Sequence, residues 1–161
     1  MGVKIKKLLL VLVFFVMVFS SYSYDYNIEQ PSLLNNAVTD KLSPSNWIKE
    51  SQIKVYGNKV IIEIEGAEWA KFTDTNSMDP ILDKDTNTIE IIPKNYRMIN
   101  PGDIISYEID EVDGTIIHRV VEVGFDEEGW YAITKGDNLK KTDPYKIRFE
   151  NIKRVVVAII Y

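Results

Sequence analysis

Cysteine is missing from this chain altogether. That excludes a disulfide scaffold, thiol chemistry and cysteine-rich metal sites. Histidine occurs once, at His118, too few for a protein-built zinc centre, so no metal or other cofactor is expected. The Lys and Arg residues never collect into a basic stripe; they are scattered among carboxylates in a chain of net charge −5, and no nucleic-acid partner is expected. Long amphipathic helical periodicity is also lacking, as are internal repeats and low-complexity tracts. What the chain does have is apolar mass: 45% of its 161 residues are hydrophobic and 11% aromatic, enough for one packed domain and an appendage.

The sharpest break in composition is at the start. Lys4, Lys6 and Lys7 precede twelve apolar residues, Leu8 to Phe19, and the more polar SSYSYDY follows. A basic segment, an apolar run and small residues, in that order, describe a cleavable signal peptide. They also describe a retained anchor, if Ser20 to Tyr24 extend the run to seventeen residues, the short limit for a spanning helix. Either way the lysines stay inside and the rest of the chain lies outside the cytoplasm. Residues 1–24 are therefore read as a membrane anchor or signal sequence. Residues 25–46, rich in Asn, Ser, Pro and Asp, are read as a linker or stalk with a short helical turn at Ser43-Pro44.

From residue 47 to 161 the pattern is almost entirely β. QIKVYGNKVIIEIEG alternates about Gly57-Asn58 as a hairpin does. TIEIIP, DIISYEI, TIIHRVVEV, GWYAITKG and RVVVAIIY supply further strands, with the acidic FDEEG as a solvated turn. About seven short strands and no long helix predict a mainly β, compact antiparallel domain.

Few residues in this domain offer catalysis. A serine hydroxyl needs a base within hydrogen-bond reach and donors for the developing oxyanion. In TDTNSMDP, Ser77 sits at a strand exit just before Asp79-Pro80. His118 lies mid-strand with Ile116 and Val120 on its own face, and imidazole as a residue type suits general base chemistry near neutrality. TKGDNLKKTDPY offers Asp137 and Asp143, either of which can orient an imidazole. Each has a plainer role: Ser-x-x-Pro occurs in ordinary turns, a strand histidine is commonly satisfied by a backbone carbonyl, and GDN is a common turn.

Order and spacing raise these residues above their individual worth. Ser77-Met78-Asp79-Pro80, Gly102-Asp103-Ile104-Ile105, Ile117-His118-Arg119-Val120-Val121 and Thr134-Lys135-Gly136-Asp137-Asn138, with Asp143 beyond, resemble the successive boxes of type I signal peptidases. Histidine where bacterial relatives have lysine selects the archaeal and endoplasmic-reticulum type. The resemblance covers about residues 70–143, and it implies a peptidase domain of signal-peptidase type preceded by an N-terminal transmembrane helix. It implies Ser77 as nucleophile, His118 as general base, Asp143 as the carboxylate behind it, Asp137 in support, and the Ser77 N–H with Thr75 as the oxyanion site. The implied substrates are the signal peptides of membrane-inserted precursors, cut at the outer membrane face by a single-pass enzyme whose domain is extracytoplasmic. Lipid bilayer and accessory membrane subunits are the implied partners, and an anchor is then favoured over a cleaved signal. Small side chains before the cut would fit shallow pockets.

Two features depart from the family. DKDTNTIEIIPKNYRMIN, residues 83–100, lengthens the path from the serine to Gly102-Asp103 and suggests a lid or partner surface. Asn138-Leu139 stands for the usual Asn-Asn. They leave room for a second reading, a non-catalytic extracytoplasmic β module of the same fold that binds a peptide or protein partner. A self-cleaving regulator on a related fold would use lysine as its base, and His118 argues against it.

Overall fold

The structure is a computed structural model that describes residues 41–161; the expected anchor over 1–24 and most of the linker lie outside the described residues. No helix among the described residues is long and apolar enough to cross a membrane.

The fold is mainly β, with two antiparallel sheets and three single 3-10 turns. Strands β1 (Ile53–Tyr56) and β2 (Lys59–Ile62) form the expected hairpin, with Tyr56 opposite Lys59 across Gly57-Asn58. It is a separate two-stranded sheet. Ile53 faces Ile62 and Val55 faces Val60 across it, and because pleated neighbours alternate, these four share one face; all are exposed.

The other six strands are β3 (Glu68–Ala70), β4 (Asn87–Ile91), β5 (Ile104–Ile109), β6 (Val112–Asp126), β7 (Gly129–Lys135) and β8 (Ile152–Ile160), in the spatial order β3-β4-β8-β5-β6-β7. The segment suggested as a lid or partner surface contains β4, the strand expected at TIEIIP, which pairs with β3 on one side and β8 on the other and is no mobile cover. Its TIEI alternation puts Thr88 and Glu90 in buried positions, and Ile99 from the same segment reaches the main core. A period-2 stretch is more stable as an interior strand than as a mobile cover.

The alternation of β5 and β6 divides the interior. Ile105, Tyr107, Ile116 and Val120 belong to the larger core with Ile147, Trp130 and Val155, whereas Ile104 and Ile117 belong to a smaller one with Met78, Leu82 and Val156. FDEEG is more than a solvated turn: Asp126 accepts from both Arg148 guanidinium nitrogens (2.8 and 3.0 Å) and Lys146 (2.6 Å).

Ser43 and Pro44 carry no helical turn; the chain is irregular from 41 to 47, and the first 3-10 turn falls at Glu50–Gln52. The cause is Asp103, which is fully buried. Its carboxylate accepts from the Ser45 N–H (2.7 Å), the Trp47 indole (3.0 Å), the Asn100 N–H (2.9 Å) and the Ser45 hydroxyl (3.3 Å). These bonds need an extended segment lying on the Gly102-Asp103 turn. Gly102 permits it, since a Cβ there would lie 2.0 Å from the Ser43 carbonyl oxygen, and its φ is +106°. Asp103→Ala strips several donors of a shared charged acceptor, and such losses cost about 3 kcal/mol or more. The expected outcome is a drop of that size in urea-unfolding stability, with faster proteolysis before Trp47.

Candidate active site

Ser77 stands on a loop anchored from beneath. Its neighbours Met78 and Leu82 are 2% and 3% exposed and pack on Ile104 and Val156, while the Leu82 N–H bonds back to the Met78 carbonyl (3.0 Å). The four-residue spacing of Met78 and Leu82 in SMDPIL thus buries two side chains on one side of the turn and leaves the serine at the rim. Asn76 precedes it in the left-handed region (φ +56°), a conformation asparagine tolerates better than most residues.

The KGDN turn after β7 grips this loop from the side. The Asn138 N–H donates to the Ser77 carbonyl (3.0 Å), the Asn138 side-chain amide to the Asn76 carbonyl (2.9 Å), and the Asp137 N–H to the Met78 sulfur (3.4 Å). Gly136 makes the approach possible, because a Cβ there would meet the Ser77 carbonyl oxygen at 2.6 Å. The Thr75 hydroxyl lies 3.2 Å from Ser77 Oγ, so the residue expected as an oxyanion donor directly adjoins the expected nucleophile.

His118 is 7% exposed on β6. Its Nδ1 is 2.7 Å from Asp143 Oδ2. The same oxygen lies 2.6 Å from the Thr134 hydroxyl and 3.0 Å from the Tyr107 hydroxyl. A carboxylate against Nδ1 favours the tautomer protonated there, which leaves Nε2 as the basic nitrogen. Burial works to raise the Asp143 carboxyl, but the hydrogen bonds from His118, Thr134 and Tyr107 outweigh it and hold the group below its ordinary value. Burial pushes the Tyr107 phenol up, which keeps it a donor. Asp143 is delivered by its own N–H bond to the Thr134 carbonyl (2.8 Å) as the chain turns back along β7 towards the Ala132–Ile147 bridge.

Asp137 goes elsewhere. It takes a two-pronged bond from Arg119 (2.7 and 2.6 Å), whose third nitrogen donates to the Gly102 carbonyl (2.7 Å). The two aspartates therefore divide the work: Asp143 meets the imidazole, and Asp137 ties β6 and the Gly102 turn to the loop that holds the serine.

Ser77, Thr75 and His118 line one cavity of about 630 Å³. No hydrogen bond joins the serine to the histidine; Ser77 Oγ contacts the Thr75 hydroxyl instead. Thr115, Ile116, Ile117 and His118 all border the cavity in succession. Successive side chains of a strand point to opposite faces, so a cavity touching all four runs along the strand's edge. The pairings agree: β6 meets β5 over Ile116–Arg119, but its contact with β7 begins only at Arg119, and among the described strands nothing pairs with the other edge before that point.

Sequence reasoning passed over Thr134, Tyr107 and Asn138 as functional groups. A tyrosine inside the apolar run DIISYEI was the available signal, since a buried phenol usually finds a partner. The far wall of the cavity, with Glu90, Ser106, Glu108, Lys153 and Arg154, had no signal in spacing. Among the described residues no three His, Asp or Glu side chains are grouped to hold a metal ion.

Because Asp143 is depressed in the fold, the stability it contributes is present above the ordinary carboxylate range, near pH 4, and is lost as pH falls through its folded value. Asp143→Asn should therefore be less stable than the native chain at pH 7, with the gap closing below about pH 4. Urea titrations at pH 7 and pH 3 measure it; a gap that persists unchanged at pH 3 would contradict the ionised network.

No family model, curated protein or solved structure matches this chain.

Proposed function

We propose that this protein is a membrane-anchored serine endopeptidase that removes signal peptides from secretory precursors on the extracytoplasmic side of the cell membrane, through a peptidase domain of signal-peptidase type. One observation carries the reading: the only histidine, backed by a partly buried carboxylate at 2.7 Å, opens on the same cavity as the serine 41 positions before it.

The chemistry follows from the groups present. His118 Nε2 takes the Ser77 proton as Oγ attacks the scissile carbonyl, while Asp143 steadies the imidazolium. The Ser77 N–H forms no hydrogen bond with any described residue, which leaves it for the oxyanion; the Thr75 hydroxyl is the second donor. His118 then protonates the leaving amine, and water releases the acyl group by the reverse proton path. The unpaired edge of β6 offers backbone donors and acceptors to an extended peptide, as sheet edges do when they take an added strand. The basic and apolar order of residues 4 to 19 supports the anchor.

The non-catalytic peptide-binding reading draws on one specific observation, that Ser77 Oγ contacts Thr75 rather than His118. Activity separates the two. Purified full-length protein in detergent is incubated with a model precursor, and products are read by mass spectrometry. Ser77→Ala and His118→Ala should each lower the rate by about a thousandfold or more, and Asp143→Asn by at least about a hundredfold. Circular dichroism verifies that each variant is folded. Full cleavage by folded Ser77→Ala or His118→Ala rejects the peptidase assignment.

A further inference from the structure

Three donors converge on one atom behind His118. The imidazole Nδ1, the Thr134 hydroxyl and the Tyr107 hydroxyl lie 2.7, 2.6 and 3.0 Å from Asp143 Oδ2, and no described group bonds the other carboxylate oxygen. The two hydroxyls are 3.1 Å apart. Each has a single hydrogen to give, and a carboxylate accepts it more strongly than a neighbouring hydroxyl does. Tyr107 and Thr134 are wholly buried, so water replaces neither bond.

Two hydroxyls on that oxygen exceed what orienting an imidazole requires, since the Nδ1 bond alone sets the tautomer. We propose that Tyr107 and Thr134 are positioning residues that weaken the hold of Asp143 on the protonated imidazole, so that His118 remains a free base to lower pH than the aspartate alone would allow. A hydrogen bond to the ionised carboxylate stabilises that form and draws on the charge of the oxygen that faces Nδ1. Less of it is left for the imidazolium. The proposal rests on the reading of His118 as the general base.

The other charges around the imidazole are held by their own partners. Arg119, next on β6 and so on its opposite face, pairs with Asp137, and Lys135 across from it on β7 donates to the Leu139 carbonyl. Lys71, Glu90, Glu108, Lys153 and Arg154 border the cavity with His118. Of these, Glu108 pairs with Lys153 and Arg154 with Glu68, Glu90 lies 3.3 Å from the Thr88 hydroxyl, and Lys71 lies over the Trp69 ring. None of them bonds the Tyr107 or Thr134 hydroxyl, so removing a hydroxyl isolates its effect on the Asp143–His118 pair.

His118 is the chain's one histidine, so selective carbon-13 labelling of histidine gives a single Cε1–Hε1 signal to titrate by NMR in full-length protein in detergent. Tyr107→Phe keeps the ring in the core and removes the hydroxyl; Thr134→Val does the same for the smaller side chain. Each should raise the pH midpoint of that signal, by about half a unit or more, and the double variant should raise it further. Thr134→Ser retains a hydroxyl and should titrate as the native chain does. Tyr96→Phe removes a hydroxyl that makes no bond to Asp143 and should leave the midpoint unchanged. Circular dichroism verifies folding. A midpoint that is unchanged or lowered in either folded hydroxyl-deletion variant overturns the proposal, because a purely structural role would lower the melting temperature and leave the midpoint in place. The peptidase reading is judged separately, by cleavage of a model precursor across the same pH range. A raised midpoint without Ser77-dependent cleavage keeps the network and removes the enzyme, and cleavage with an unmoved midpoint does the reverse.

Discussion

The candidate site depends on a single oxygen atom. Asp143 Oδ2 gathers His118, Thr134 and Tyr107 within hydrogen-bond distance, and those residues come from β6, β7 and β5. Thr134 and Tyr107 are fully buried, so neither hydroxyl has water as an alternative partner. Removing the carboxylate would leave an imidazole N–H and two hydroxyls to satisfy one another in a low-dielectric interior, where unmade hydrogen bonds are expensive. The arrangement is therefore a structural clasp across three adjacent strands as well as a means of fixing the imidazole tautomer. It also shows why burial does not neutralise the aspartate: three donors compensate for lost hydration, which is the condition under which an ionised group is tolerated inside a protein.

The serine is held by different means. Its loop has few contacts of its own and borrows order from two neighbours, the small core under Met78 and Leu82 and the Gly136–Asn138 turn. That turn follows β7 directly, and Asp143 lies a few residues further on. One short segment thus secures both halves of the candidate machinery, the serine through backbone bonds and the histidine through a side chain. Arg119 completes the frame, joining Asp137 in that segment to the Gly102 carbonyl from the face of β6 opposite His118. A change in this segment would be felt at both groups at once, which is why order along the chain, more than any one motif, made the site visible.

What the sequence made legible follows the range of the forces involved. Strands β4 to β8 and the β1–β2 hairpin were readable because alternation is a local property and each run was bounded by Gly, Asn, Asp or Pro. The mainly β class followed from them. The length of β6, fifteen residues, was not readable, because a strand that pairs with one neighbour in its first half and another in its second gives no local sign of the change. Residues 83–100 were set apart as a lid or partner surface from their position relative to a family pattern, although the TIEI alternation within them had already marked the strand that is β4. Ser43 to Asn46 looked like linker because the order of that segment comes from Asp103, more than fifty residues away. Ser77, His118 and Asp143 were nameable as candidates from the resemblance in order and spacing, but Thr134 and Tyr107 were not, since their bonds to Asp143 arise only when β5, β6 and β7 are brought side by side.

The edge of β6 connects these observations to recognition. A strand edge is normally a liability that proteins cover, and here the edge before Arg119 is left open beside a cavity that holds the serine. Pairing with that edge would fix a peptide's backbone direction and alternate its side chains, one set towards the small core around Ile117 and the other towards His118. Backbone pairing alone carries no sequence preference. Selectivity then has to come from the walls, and the wall formed by β4, β5 and β8 is polar and charged. Were the cavity to take the proposed peptide, walls of this composition would favour a narrow set of sequences, because each polar group left unmet penalises the peptides that fail to pair with it.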